Sequence, residues 1–418
     1  MIVALSVIRS KNLDKCFRGR YGGEVMSTDS STRKISFKDR ASICRPYRLR
    51  PALKSAIWGG SRLAEAFGKS KDFQKLAETW ECSVHPSGES LIETCGYVPV
   101  DCGRLAGNGW EALNKDVDTG GKTELTLKDF IDTNPAVMGE SFIAEDSHSC
   151  LPEDEKSKEG ENKKFAHDNF PVLIKLIDAA DNLSVQVHPD DEFAQRYENG
   201  QSGKTEAWYI LEASEGSELV FGLKPGVTEE ILRDAAADDN ILKYVSTVHP
   251  RKGELYYIEA GTVHSIGRGI VVLEVQQNSD VTYRLYDYGR KDSEGKTREL
   301  HLAKGLKAIR YGLSGQVVPA DTTLPAPGES WERVLLNCEY FRIRCLRVGE
   351  GGFHTIEVDG RSFITAVCTD TDSNGMTILS GELDMTVTKG QSVFLPAGTG
   401  AVTFCGEGEL LLIDGGSQ

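Results

Sequence analysis

Four side chains between residues 184 and 284 are of the types that could share one metal ion. Gln186 and His188 lie two apart in the β-branched run Ser184-Val185-Gln186-Val187-His188. Side chains alternate across a strand, so both project from one face. Glu206 precedes the apolar run Ala207-Trp208-Tyr209-Ile210, and His264 follows Tyr257-Ile258 and the turn Glu259-Ala260-Gly261-Thr262. Three strands would bring an amide oxygen, two imidazoles and a carboxylate to one point. That donor set suits a divalent metal such as zinc, with room for water or substrate. A lone histidine on a strand is more often structural; it is the convergence of four donors that points to a metal. A 2+ ion facing one carboxylate leaves a net positive centre, which stabilises a developing oxyanion.

Three cations accompany this set. Lys204 lies two residues before Glu206 and shares its face on a strand. Beside a metal it could serve as a base or bind phosphate; otherwise it is a surface lysine closing a glycine loop. Arg284, between Tyr283 and Leu285, needs an anionic partner: Asp280, Asp287 or, as the favoured reading, a bound phosphate. Lys175 interrupts the apolar run 171–177 and either snorkels to the surface or sits in a polar cavity.

The elements that must hold these residues are mainly strands. Short β runs with turn glycines fill residues 253–275, and the chain is β again from Pro319 to Asp414. Helical spacing is confined to residues 62–69, 125–131, 227–237 and 299–310, with Thr228 as an N-cap. The stretch Leu76-Ala77-Glu78-Thr79-Trp80-Glu81-Cys82-Ser83 has no clear period; it lines a site or is a strand with Trp80 in a core. The segment Gly253 to His264 is echoed without gaps by Gly390 to Ala401, sharing the glycine, the apolar run and Ala-Gly-Thr. Such repetition predicts two small jelly-roll barrels, with helices inserted or packed at the side. The second has Ala401 where the first has His264, so only the first should hold metal. The expected division is a loose leader at 1–41, a first barrel domain at 42–315 carrying the metal site, and a second, degenerate one at 316–418. Met26 offers an alternative translation start within the leader, and residues 144–164 form a charged surface loop.

Composition narrows the partners. The net charge of -15 argues against nucleic acid or an anionic membrane surface. No apolar run is long enough to span a bilayer, and the first eight residues lack the flanks of a signal peptide. The 10 cysteines form no close CxxC pair, which predicts reduced thiols and a cytoplasmic protein.

These residues, together with Ile57-Trp58-Gly59-Gly60, Glu78-Thr79-Trp80-Glu81-Cys82-Ser83, Gln186-Val187-His188-Pro189-Asp190, Gly203-Lys204-Thr205-Glu206 and the stretch from Val275 to Asp287, resemble class I mannose-6-phosphate isomerases (phosphomannose isomerases), in their shorter bacterial form. The similarity runs from Arg45 to Asp414. It implies a cupin fold and one zinc ion per chain, held by Gln186, His188, Glu206 and His264. It implies a sugar-phosphate substrate and interconversion of mannose 6-phosphate and fructose 6-phosphate. Arg284 would be the catalytic arginine and bind substrate, with Lys175 and Lys204 in the same site. An aldose–ketose exchange through an enediol needs a base for the carbon-bound proton, and Lys204 is the first candidate.

Two other functions fit parts of the pattern. His188, Glu206 and His264 could form the two-histidine, one-carboxylate iron site of a cupin oxygenase, leaving Gln186 a spectator. A non-catalytic sugar-binding cupin would keep the barrels without turnover. Lys175, Lys204 and Arg284 suit an anionic sugar better than an organic substrate and dioxygen, and the complete ligand set of the first barrel argues against a cupin without turnover.

Overall fold

The structure is a computed structural model and describes residues 43–73, 75–93, 124–142, 169–291, 294–313 and 315–415. The expected leader at 1–41 and the charged loop at 144–164 lie outside the described residues. Strands dominate the fold. Among the described residues they form four antiparallel sheets.

The first sheet has the order Gln316–Val318, Leu255–Ile258, Glu206–Ala213, Ile270–Gln277, Val172–Ala179, Ala52–Gly60, Leu76–Cys82. A five-stranded sheet covers one of its faces, ordered Tyr283–Tyr286, Val185–Val187, His264–Ile266, Leu219–Leu223, Val245–Val248. A second seven-stranded sheet, running from Ser330–Asn337 to Tyr47–Arg50 and Leu91–Ile92, covers the other. Four strands between Phe353–Val358 and Gly400–Cys405 close its far side.

Alternation along single strands builds these layers. In Val172–Ala179, Ile177 and Ala179 pack with Leu219, Phe221 and Ile266 of the five-stranded sheet. Val172, Ile174 and Leu176 turn the other way, toward Leu49, Ile343, Phe394 and Leu411. Both faces are buried, which is why this strand is a continuous apolar run rather than an alternating one. Lys175 belongs to the odd-numbered set and faces the five-stranded sheet. It is 6% exposed, so it sits in a polar cavity and does not snorkel.

The helices obey their end signals. Leu127–Thr133 starts after Thr126, whose hydroxyl accepts from Asp129 N, and Glu229–Ala237 starts after Thr228, which accepts from Ile231 N. The other two expected helices are shorter than the patterns, Arg62–Ala66 and Leu302–Ala308. A fifth, Asp191–Tyr197, went unread in the sequence although Asp190 caps it through Phe193 N. The aperiodic stretch at Leu76–Cys82 is a strand. Gly59 and Gly60 mark a close approach: a Cβ on Gly60 would lie 2.3 Å from Asp178 Oδ2.

The repeat holds in its turns. Gly253 and Gly390 have φ of 89° and 87°, and Gly261 and Gly398 have 89° and 80°. It breaks at the last residue. His264 is buried in its sheet, whereas Ala401 is exposed and its neighbour Val402 enters the core. A one-residue shift turns a strand position to the opposite face. Ala401 is therefore not the spatial counterpart of His264, and neither Gly400 nor Val402 offers a ligand. No helix of the described residues is long and apolar enough to cross a membrane.

Candidate metal centre

The strand Val185–Val187 lies between two neighbours. Gln186 is opposite His264 on one side and Arg284 on the other. Directly opposed residues share a face, so Arg284, Gln186 and His264 form a row across the five-stranded sheet. His188, two residues beyond Gln186, joins that face. Glu206 opens its strand on the facing sheet, between Ile258 and Gln276.

The side chains converge. His188 Nε2 lies 3.5 Å from Glu206 Oε2, and His264 Nε2 lies 3.3 Å from Glu206 Oε1. The donor atoms of His188, Glu206 and His264 all fall within 4.8 Å of one another, and all three residues are buried. Each imidazole is held from behind by a backbone carbonyl. His188 Nδ1 is 2.7 Å from Val281 O, and His264 Nδ1 is 2.8 Å from Thr262 O. A carbonyl accepts only, so the proton sits on Nδ1 and the Nε2 lone pair faces the centre. Burial, then the charge of Lys204 and the neighbouring His264, holds His188 well below the ordinary histidine range. Burial also lowers His264, against the pull of Glu206. Both shifts favour the neutral ring that a metal ligand needs.

Glu206 has no hydrogen-bond partner at either buried oxygen, although Lys204 Nζ lies 2.9 Å from Oε2. A buried carboxylate that makes no hydrogen bond and is faced by two imidazole nitrogens fits a divalent cation. Gln186 Nε2 is 3.3 Å from His264 Nε2, and its Oε1 accepts from Ser184 Oγ at 3.3 Å. The amide is the same shape with its ends exchanged, which would turn its oxygen toward the donors.

Lys204 Nζ also lies 3.2 Å from His188 Nε2, at the edge of the donor set. Lys175 is one step further out. Its ammonium donates to Glu274 Oε1 at 3.0 Å and Gln276 Oε1 at 2.6 Å, and stands 5.2 Å from the Trp80 ring centre. Burial alone would depress it, but Glu274 and Glu78 reverse the sign and raise it. Burial would raise Glu274, yet the charges of Lys175 and Lys204 bring it to about 2. Trp80, Lys175, Glu274 and Trp208 are consecutive partners across the first sheet, so they line one wall. Glu274 and Gln276 were missed in the sequence. A carboxylate inside the apolar strand Ile270–Gln277 was the available signal, because it needs a buried cation beside it.

Arg284 Nη1 donates to Glu299 O at 2.8 Å, while its buried Nε has no partner. Among the described residues no carboxylate forms an ion pair with it. Asp287 is taken by Arg290 and by Arg298, whose Nε is 2.8 Å from Oδ2. Asp280 faces Ser87 and His85.

Known proteins share this arrangement of sequence and fold. A family model described as phosphomannose isomerase type I, catalytic domain, matches residues 132–230, the part that holds Lys175, Gln186, His188, Lys204 and Glu206. The chain is 31% identical to mannose-6-phosphate isomerase ManA of Bacillus subtilis over 371 residues, 88% of this chain and 98% of that protein. It is 34% identical to a mannose-6-phosphate isomerase of Streptococcus mutans over 279 residues, 66% of this chain and 72% of that one. The crystal structure of the mannose 6-phosphate isomerase from Bacillus subtilis superposes with a TM-score of 0.68 at 27% identity, covering 88% of this chain and 99% of that one. Identity at this level along almost the whole of a relative, on a shared fold, places this mainly β, cupin-type chain in the mannose-6-phosphate isomerase family, the type I phosphomannose isomerases.

Proposed function

We propose that this chain interconverts mannose 6-phosphate and fructose 6-phosphate, using one zinc ion per chain held by Gln186, His188, Glu206 and His264. The observation that carries this reading is the buried meeting of His188, Glu206 and His264, with Lys204 beside it and Arg284 in the same row of side chains. A metal bound there supplies Lewis-acid polarisation of the sugar oxygens.

The remaining work falls to the chain. The C2 proton leaves the aldose, giving an enediol, and a proton is delivered to C1. Meanwhile O1 gains a proton and O2 loses one, so the product is the ketose with no net change in atoms. Lys204 is the base for the carbon-bound proton. Arg284, half-buried and in no carboxylate ion pair among the described residues, binds the anionic substrate and the negative charge that develops on oxygen. Lys175 is held to Glu274 and Gln276, and it contributes positive charge to the wall that the sugar contacts. The metal site belongs to a first barrel, 42–315, and the rest to a second, 316–418. Strands cross that boundary both ways: Tyr47–Arg50 and Leu91–Ile92 pair in the sheet of the second, and Gln316–Val318 pairs with Leu255–Ile258 in the sheet of the first. Six free cysteines among the described residues and the charge of -15 support a cytoplasmic protein that binds no nucleic acid.

A coupled assay tests this. Purified protein should convert mannose 6-phosphate, lose that activity to a chelator, and regain it with zinc. A zinc-loaded protein without turnover on this substrate would sink the reading; iron with oxygen uptake would point to the oxygenase instead.

A further inference from the structure

The loop after His188 and the loop before Glu206 are not joined by any ladder, yet both must hold their ligands in place. One carboxylate ties them. Asp191 Oδ1 accepts from Gly203 N at 2.7 Å and from Gln277 Nε2 at 3.1 Å. Gln277 Oε1 in turn accepts from Thr205 N at 2.7 Å, and Lys204 N donates to Pro189 O at 2.9 Å. The Lys204-Thr205-Glu206 backbone is thus pinned against the His188-Pro189-Asp190-Asp191 backbone. The remaining oxygen of Asp191 receives a donor from far along the chain: Tyr340 Oη donates to Oδ2 at 3.0 Å. Tyr340 stands in the turn between Ser330–Asn337 and Phe341–Val348, in the second seven-stranded sheet, which carries none of the proposed ligands.

We propose that Asp191 and Tyr340 are positioning residues, through which the C-terminal sheets set the separation between His188 and the Lys204–Glu206 segment. This rests on the metal-dependent isomerase reading above. A carboxylate suits this position because three donors converge on it and its two oxygens share them, whereas an amide has one oxygen. Among the described residues the C-terminal sheets hold no group of ligands like His188, Glu206 and His264, and this contact gives them a part in the chemistry.

The test uses the full chain with Asp191→Asn, Asp191→Ala and Tyr340→Phe. Tyr209→Phe serves as a control, because Tyr209 Oη also bridges the two sheets, to Glu409 at 2.8 Å. Zinc affinity is read by competition with a chromogenic chelator, and kcat and KM by the coupled assay. Asp191→Ala should weaken zinc about tenfold and lower kcat by about ten- to a hundredfold, with KM little changed. Asp191→Asn, which keeps one acceptor, should lose less. Tyr340→Phe should lower kcat by about three- to tenfold. Tyr209→Phe should lower stability alone. If Asp191→Asn and Tyr340→Phe match the parent in zinc affinity and kcat, the proposal is overturned, even where they melt earlier. Should Asp191→Ala not fold, these two milder variants decide. Failure of the isomerase reading shows separately, as a parent protein that binds zinc but does not turn over, and the zinc affinities still judge Asp191 and Tyr340.

Discussion

Lys204 Nζ touches both Glu206 Oε2 and His188 Nε2, at 2.9 and 3.2 Å. It stands beside the converging donor atoms of His188, Glu206 and His264 rather than among them. Its role is therefore separable from metal binding. Lys204→Met keeps the length and the apolar stem but removes the amine. Turnover should fall by about 10²- to 10⁴-fold, the usual worth of a positioned acid or base, with zinc content unchanged by elemental analysis. Near-normal turnover would remove Lys204 as the base. Glu206 differs because it is the one carboxylate among the donors and lies fully buried. Arg284 forms no carboxylate ion pair among the described residues, and nearby Asp287 is held by Arg290 and Arg298.

Among the elements, the turn at Gly203 controls where the Lys204–Glu206 segment starts. A Cβ there would lie 2.5 Å from both Asp190 C and Asp191 N, and 2.8 Å from Pro189 O. These are backbone atoms and cannot swing aside as a flexible side-chain end could. Gly203→Ala should therefore push the two ligand-bearing loops apart, costing about 1–3 kcal/mol of stability as overpacking does. It should also weaken zinc binding in the same chelator competition. A Gly203→Ala protein with parental zinc affinity would show that the loops are set elsewhere. The strand Val185–Val187 has the opposite character. It is three residues long, and its two neighbours fix it so that Gln186 meets both His264 and Arg284.

For the whole molecule, buried charge makes stability depend on pH. Glu274 is depressed from an ordinary 4.5 to about 2, despite burial, by Lys175 and Lys204. Asp287 is also lowered from 3.8; its burial is outweighed by hydrogen bonds from Arg298 and Arg290. A depressed acid binds fewer protons folded than unfolded. Its contribution is complete above the unfolded value and is lost as pH falls through the folded one. Burial raises Asp178 and Asp414 above 3.8 despite their arginine partners, so they act with the opposite sign and only at higher pH. Below 3.8 the depressed acids dominate. The urea midpoint should drop steeply between pH 3.8 and 2, and Glu274→Gln should flatten that drop while lowering stability at neutral pH. A variant with the parental slope would show that Glu274 titrates alike in both states.

Local rules carried a large part of this protein. Alternation put Gln186 and His188 on one face, the hydroxyl cap at Thr228 began a helix, and glycines at 253, 261, 390 and 398 turned the chain as their repeated spacing implied. The donor types could be read because a carboxylate and imidazoles beside apolar strands need a partner in a buried setting. Periodicity could not say which distant strand would supply it. Gln186 and His264 are 78 residues apart, Lys175 and Glu274 are 99, and Asp191 and Tyr340 are 149. Alternation says only which residues of one strand share a face; pairing and register follow from how whole sheets bury their apolar faces, and one step of register reverses every side chain. That is why the aligned echo set Ala401 against His264 and the sheets did not. The amino-acid order determined the kinds of groups available and their local facing. The packing of four sheets decided which of them meet.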